Sequence, residues 1–406
     1  MKYFADLSIF RRNPNFTFLF IGQFVSFFGS MITSVALPYQ IYVETHSILM
    51  VGLLSLVQLL PILVTALIGG VFADRYHRRM LLLVSEFAMG VGSFLLAYNT
   101  SLATPHIWLL FIVAAFMSAF NGLHRPALES IVQQIVERKD FPTVSSLGSI
   151  KYSVGMIVGP AIGGLLVAHA GLIMTYFVDA ASFAISLIAI LLMRHIPKPE
   201  NPSDEPVLRS LQTGLRYALS RQELVGTYVI DFVAMIFGMP NALFPAIAQS
   251  FGGAQALGML YSAPAVGALA ISLLSGWASS IKRHGAAIAI SAAIWGVAII
   301  GFSLAPHFWL ALIFLGIAGA ADAVSGIFRG IMWNQTIPNH LRGRMAGIEM
   351  ISYLSGPRLG DTEASMVAAA FGITASIVSG GVLCVAGVAI CCVLLPKFWR
   401  YHSDHL

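Results

Sequence analysis

Charge is what this chain has least of. Only 10% of its 406 residues are Asp, Glu, Lys or Arg, against roughly 25% in soluble domains. Hydrophobic residues make up 57%, and mean hydropathy is +0.82. So much apolar surface cannot be enclosed in a water-soluble core. Its natural solvent is lipid, where helices satisfy their own backbone hydrogen bonds. Cysteine is nearly absent: Cys384, Cys391 and Cys392 all fall in the last apolar run, which excludes a disulfide framework. The histidines have no metal-ligand spacing; His46, His106, His169 and His307 are scattered between apolar runs. No Gly-x4-Gly-Lys-Ser/Thr loop is present, so ATP is not the expected energy source. No Ser-His-Asp constellation suggests an enzyme. The net charge of +5 is spread over short links, with no basic stripe for nucleic acid. Neither a metal nor a cofactor is expected. The first apolar run, Phe16 to Val43, is too long for a cleavable signal h-region.

What is there is a series of apolar runs. A membrane-crossing helix needs about 20 such residues. Twelve spans are expected, beginning near Phe16, Leu49, Arg79, Ile107, Val144 and Leu172, then near Glu223, Gln255, Gly285, Phe308, Met345 and Gly372. The link between spans 6 and 7 is long and holds Pro197, Pro199, Pro202 and Pro206. It reads as a surface linker ending in an amphipathic helix at Leu208 to Leu219. Lys and Arg set the orientation. With the N-terminus inside, the six outside loops carry no Lys or Arg. Both termini are therefore expected in the cytoplasm.

The two halves repeat each other. Gly52 and Gly70 match Gly258 and Gly276 (258 − 52 = 276 − 70 = 206). Ala36-Leu-Pro38 pairs with Leu243-Phe-Pro245, and Gly122-Leu-His-Arg125 with Gly326-Ile-Phe-Arg329. Gly159-Pro160-x-x-Gly163 pairs with Gly356-Pro357-x-x-Gly360. This implies a duplication with parallel halves, a known transporter device: a bundle at 1–193, a linker at 194–222 and a second bundle at 223–406.

Two motifs carry a family resemblance. Gly70-Val-Phe-Ala-Asp74-Arg75-Tyr-His-Arg78-Arg79 lies between spans 2 and 3. It resembles the corresponding loop of the major facilitator superfamily, Gly, three residues, Asp-Arg, then a basic pair. Gly155-x-x-x-Gly159-Pro160-x-x-Gly163-Gly164 in span 5 resembles that superfamily's antiporter motif. Gln23 to Ser30, Leu37-Pro38-Tyr39, Pro61 and the run from His124-Arg125-Pro126 to Ser145 are similar to the drug:proton antiporter group that contains the enterobactin exporter and macrolide efflux proteins. The resemblance implies an all-α membrane fold of two six-helix bundles with pseudo-twofold symmetry. It gives Asp74 a gating role at the cytoplasmic side, with Arg75, Arg78 and Arg79 as loop cations and Arg125 as a partner. It implies that span 5 meets span 8. Ser118 stands where better-studied antiporters carry an arginine of their proton-coupling motif, so a proton route must use other residues.

Ionisable residues at membrane depth are expensive and usually functional or paired. Asp231 in span 7 and Asp322 in span 10 are candidates for a cavity wall, and the resemblance makes both spans cavity-lining. Asp322 is the candidate titrating or substrate-contacting acid. Its alternative is an ion pair that never titrates. Arg358, Asp361 and Glu363 follow Pro357 in span 11; Arg358 and Asp361 can pair at this spacing. Lys151 in span 5 either snorkels or supplies positive charge to the cavity. Glu86 and Asp179 read as structural. The expected protein is a monomeric secondary-active exporter of the bacterial inner membrane. It would take a small organic molecule, siderophore-like or amphipathic, with protons as the coupling ion. A broad drug efflux pump is the alternative, and a lipid flippase or non-transporting sensor an alternative from another class.

Overall fold

The computed structural model describes residues 7–194, 207–338 and 341–402, with the side chains at 70, 71, 73–75, 207–211 and 343 outside the described set. The described chain is helical and contains no strand. Twelve spans account for it: α1 Pro14–Thr45, α2 Ile48–Arg75, α3 Arg78–Ser101, α4 Ile107–Ile135, α5 at 141–170, α6 at 172–192, α7 Gln222–Gln249, α8 Ala254–Leu273, α9 His284–Leu304, α10 Phe308–Thr336, α11 Arg342–Phe371 and α12 Ile373–Leu394. Each begins within three residues of its expected position. A short helix, Val207–Leu219, precedes α7.

Ten helical runs among the described residues are long and apolar enough to cross a membrane. One of them, Arg138–Leu192, holds both α5 and α6 within the helix Phe141–Leu192. The polar α11 is the remaining span (10 + 1 + 1 = 12). A straight helix of 52 residues would run about 78 Å, far beyond a hydrocarbon layer of about 30 Å. The chain turns at Gly171, φ 78° and ψ 169°, a conformation open to glycine alone at little cost. Gly372, φ 93° and ψ 158°, makes the matching turn between α11 and α12, 201 residues on (372 − 171). At the other end of the chain, Pro14 opens α1, where its missing N–H is harmless. Asn13 accepts from the Phe16 amide at 3.0 Å, which is the N-cap bond.

Two compact units result. One comprises Met1–Thr45, Val57–Asp204 and Gly252–Gly258; the other His46–Leu56, Glu205–Phe251 and Met259–Leu406. In the first, α1 packs on the α5–α6 run, and α3 packs on that run and on α4. In the second, α9 packs on α10 and α12, and α7 on α11 and α12. The solvent-facing shell is apolar: Leu60, Phe87, Ile112, Leu273, Ile313 and Val393 are exposed. Gln23, Glu86, Ser93, Asp179 and Arg329 are buried. Apolar outside and polar inside is the arrangement lipid selects, because a polar group left in hydrocarbon has no partner.

Candidate functional site

The second unit holds a charged cluster. On α10, Asp322 and Arg329 are seven residues apart, two turns along one helix face. Arg329 makes a close ion pair with Asp231 of α7, and its guanidinium lies 3.6 Å from the Asp322 carboxylate. Arg329 and Asp231 are enclosed, with side chains 11% and 12% exposed, whereas Asp322 is 59% exposed. Glu349, near the start of α11, is within electrostatic range of the same guanidinium. Asp231 and Asp322 line a cavity of about 50 Å³ with Ser325, Trp295, Met235 and Met239. Two carboxylates share one cation. The enclosed one is neutralised by contact; the exposed one carries the surplus negative charge.

The charged trio on α11 is not drawn into one cluster. Arg358 and Asp361 do not form an ion pair. Asp361 accepts from Ser55 Oγ of α2 at 2.8 Å and from the Ala242 amide at 3.0 Å. The reason lies in α7, which breaks after Gly238 and resumes at Asn241. A restarting helix exposes amides with no intrahelical acceptor, and its positive end favours an anion. Asp361 answers that demand. Arg358 instead donates from Nη1 to the Leu354 carbonyl at 3.2 Å, and its buried Nε has no hydrogen-bond partner among the described residues. Glu363 is half-buried and joins neither group.

In the first unit, Lys151 is half-buried with its ammonium over the Phe27 ring, 5.8 Å from the centroid, a cation–π contact. Asp179 is structural, as expected: Thr33 and Ser93 each donate to it at 2.6 Å, tying α1 and α3 to α6. Glu86 accepts from Gln23 at 2.6 Å and sits 2.9 Å from His124 Nε2.

The glycine motif divides its work. A Cβ at Gly155 would meet Phe27, one at Gly159 would meet Met31 at 2.5 Å, and one at Gly163 would meet the Ile32 backbone at 3.1 Å. These three positions therefore seat α5 on α1, where the resemblance implied α8. The fourth, Gly164, does meet α8: a Cβ there would stand 3.0 Å from the Gly258 Cα. The repeated motif behaves alike, since Gly356 faces Met235 and Gly360 faces the Met235 and Ile236 carbonyls of α7.

Around the loop between α2 and α3, the backbone is helical through Arg75. The side chains of Gly70, Asp74 and Arg75 lie outside the described residues. Arg79 donates to the Ile190 and Leu191 carbonyls at 3.2 and 2.8 Å, so it neutralises the end of α6. Arg78 reaches the Ser130 carbonyl at 3.3 Å. Arg125 pairs with Glu129 one turn on at 3.3 Å, both exposed. Two partners escaped the sequence reading. Arg329 was visible only as the repeat of Arg125, though its spacing from Asp322 was a usable signal. The approach of His124 to Glu86 joins residues 38 positions apart, and no local pattern marks it.

A family model described as transmembrane secretion effector matches residues 5–404. The enterobactin exporters EntS of Shigella boydii serotype 18 and Escherichia coli are 28% identical over 396 residues, covering 97% of this chain and 95% of theirs. Among solved structures, a POT family transporter in complex with 5-aminolevulinic acid superposes with a TM-score of 0.76 at 14% identity, covering 95% of this chain and 97% of that one. An inward-facing bacterial homolog of the human lysosomal transporter Spinster gives 0.74 at 16% identity, covering 97% and 98%. These two share the fold. With its twelve spans and a matched family model over nearly its whole length, the chain belongs to the transmembrane secretion effectors of the major facilitator superfamily, multi-pass membrane transporters and not enzymes.

Proposed function

We propose that this protein is a secondary-active exporter that moves a siderophore-like organic molecule out of the cytoplasm, driven by protons. The observation that carries the reading is the sharing of Arg329 between enclosed Asp231 and exposed Asp322 beside a cavity. When Asp322 is ionised, it competes with Asp231 for the guanidinium. When it is protonated, Arg329 commits to Asp231 alone. A proton thus selects between two arrangements of α7 and α10, which is what coupling requires. The cations suit an anionic cargo. Arg358 has an unsatisfied Nε, and Lys151 is held at membrane depth on Phe27. The name of the EntS relatives, enterobactin exporter, supports a siderophore as that cargo. Alternating access would rock 1–193 against 223–406, in a monomer of the bacterial inner membrane with both termini in the cytoplasm. Asp74 would act as the cytoplasmic latch.

Met235, Met239 and Trp295 on the cavity wall favour a second reading, a pump for hydrophobic drugs, because methionine adapts to varied apolar shapes. Inverted vesicles under an imposed pH gradient separate the two. Enterobactin accumulation without ethidium accumulation is expected. Ethidium alone would overturn the siderophore reading, and accumulation that ignores the gradient would overturn coupling.

A further inference from the structure

The first unit contains a carboxylate that its surroundings leave half-satisfied. Glu86 of α3 is fully buried, 0% exposed. Its Oε1 accepts from Gln23 Nε2 at 2.6 Å and Ser26 Oγ at 3.3 Å, and lies 2.9 Å from His124 Nε2. Its Oε2, equally buried, has no hydrogen-bond partner among the described residues. Asp179, another buried acid of this unit, is different. Thr33 and Ser93 donate to its Oδ2, and Ser182 Oγ lies 3.4 Å from its Oδ1. Asp179 thus has donors at both oxygens, Glu86 at one. A buried carboxylate served at a single oxygen carries an unmet desolvation cost on the other.

The second element is His124 of α4. Its side chain is 14% exposed, and its neighbours Asn121 and Arg125 on the same helix are exposed. Histidine changes charge between about pH 5 and 8. It therefore stands between the surface of α4 and a carboxylate that water does not reach. Acid–histidine chains of this kind inside membranes mark proton paths.

We propose that Glu86 and His124 form a proton-binding site in the first unit, separate from the Asp231–Arg329–Asp322 cluster, with His124 as the port and Glu86 as the store. The step balances simply. His124 takes a proton at Nδ1 and, as the imidazolium, passes its Nε2 proton to the Glu86 carboxylate. That leaves a neutral acid and a neutral imidazole, with one proton gained. The groups facing Glu86 are Gln23 and Ser26 of α1 and His124 of α4. Lys151 of α5 and Asp179 of α6 act on it through space. The transport role of the site rests on the proton coupling proposed above.

Two measurements test it on the full chain. Infrared difference spectra of the detergent-purified protein after a pH jump, with no substrate, should show a carboxyl C=O band that Glu86→Gln removes. In vesicles, Glu86→Gln should keep enterobactin exchange in the absence of a gradient and lose at least tenfold of gradient-driven accumulation. His124→Gln, which leaves the Gln23 and Ser26 contacts in place, should flatten the pH profile while membrane abundance holds. It is the deciding variant if Glu86→Gln does not fold. A band that persists in Glu86→Gln, or an unchanged pH profile in His124→Gln, overturns the proposal. A wild type that couples, together with a Glu86→Gln that couples equally, sinks this site alone. A wild type that ignores the gradient sinks the coupling reading and, with it, the transport role of the pair.

Discussion

Replacing the two carboxylates around Arg329 in turn should produce opposite kinds of damage. Asp231 is 12% exposed and in close contact with a guanidinium that is itself 11% exposed. Asp231→Asn leaves a buried cation with Asp322 3.6 Å away and largely exposed, and Glu349 within electrostatic range. Removing one member of a buried pair costs about 3–5 kcal/mol, because the other charge stays behind uncompensated. Asp322, at 59% exposure, is the weaker partner, and exposed pairs contribute about 1 kcal/mol or less. Asp322→Asn should therefore leave stability nearly unchanged and abolish gradient-driven export. The double variant Asp231→Asn with Arg329→Met removes both enclosed charges and should recover most of the lost stability. Thermal unfolding of detergent-purified variants reads the first quantity, and vesicle transport the second. Equal destabilisation by the two single changes would refute the assignment of Asp231 as the neutralising partner. Additive effects in the double variant would refute the pair itself.

Three further outcomes follow from the packing. Gly360→Ala places a methyl group against the Met235 carbonyl and should cost about 1–3 kcal/mol by overpacking, whereas Gly148→Ala on α5, with nothing within 4 Å, should be neutral or stabilising; melting temperatures check both. Gly171→Ala forces a side chain into φ 78° and should cost about 1 kcal/mol or more, read as lower yield of folded protein. Arg358→Met should abolish export of an anionic substrate without lowering membrane abundance, and intact transport would return Arg358 to the scaffold.

Solvent and periodicity decided much of this protein before any tertiary contact was known. The scarcity of charge dictated lipid. The lengths of the apolar runs set twelve spans, because the bilayer thickness fixes how many residues a crossing helix needs. The glycines repeated at 159 and 163 and at 356 and 360 marked where helices approach, since a missing Cβ has the same consequence in any fold. Asp231 and Asp322 could be singled out because a charge in hydrocarbon is costly wherever it sits. Which partner each charge takes was a different matter. The break in α7 exposes the Ala242 amide, and Asp361 takes its hydrogen bonds there and at Ser55, where spacing along α11 offered Arg358. Arg125 and Arg329 are equivalent in the repeat, yet one pairs in solvent with Glu129 and the other is enclosed with Asp231. His124 meets Glu86 only because α3 and α4 pack together. Electrostatic partnership depends on distances across helices, and one-dimensional spacing does not encode them.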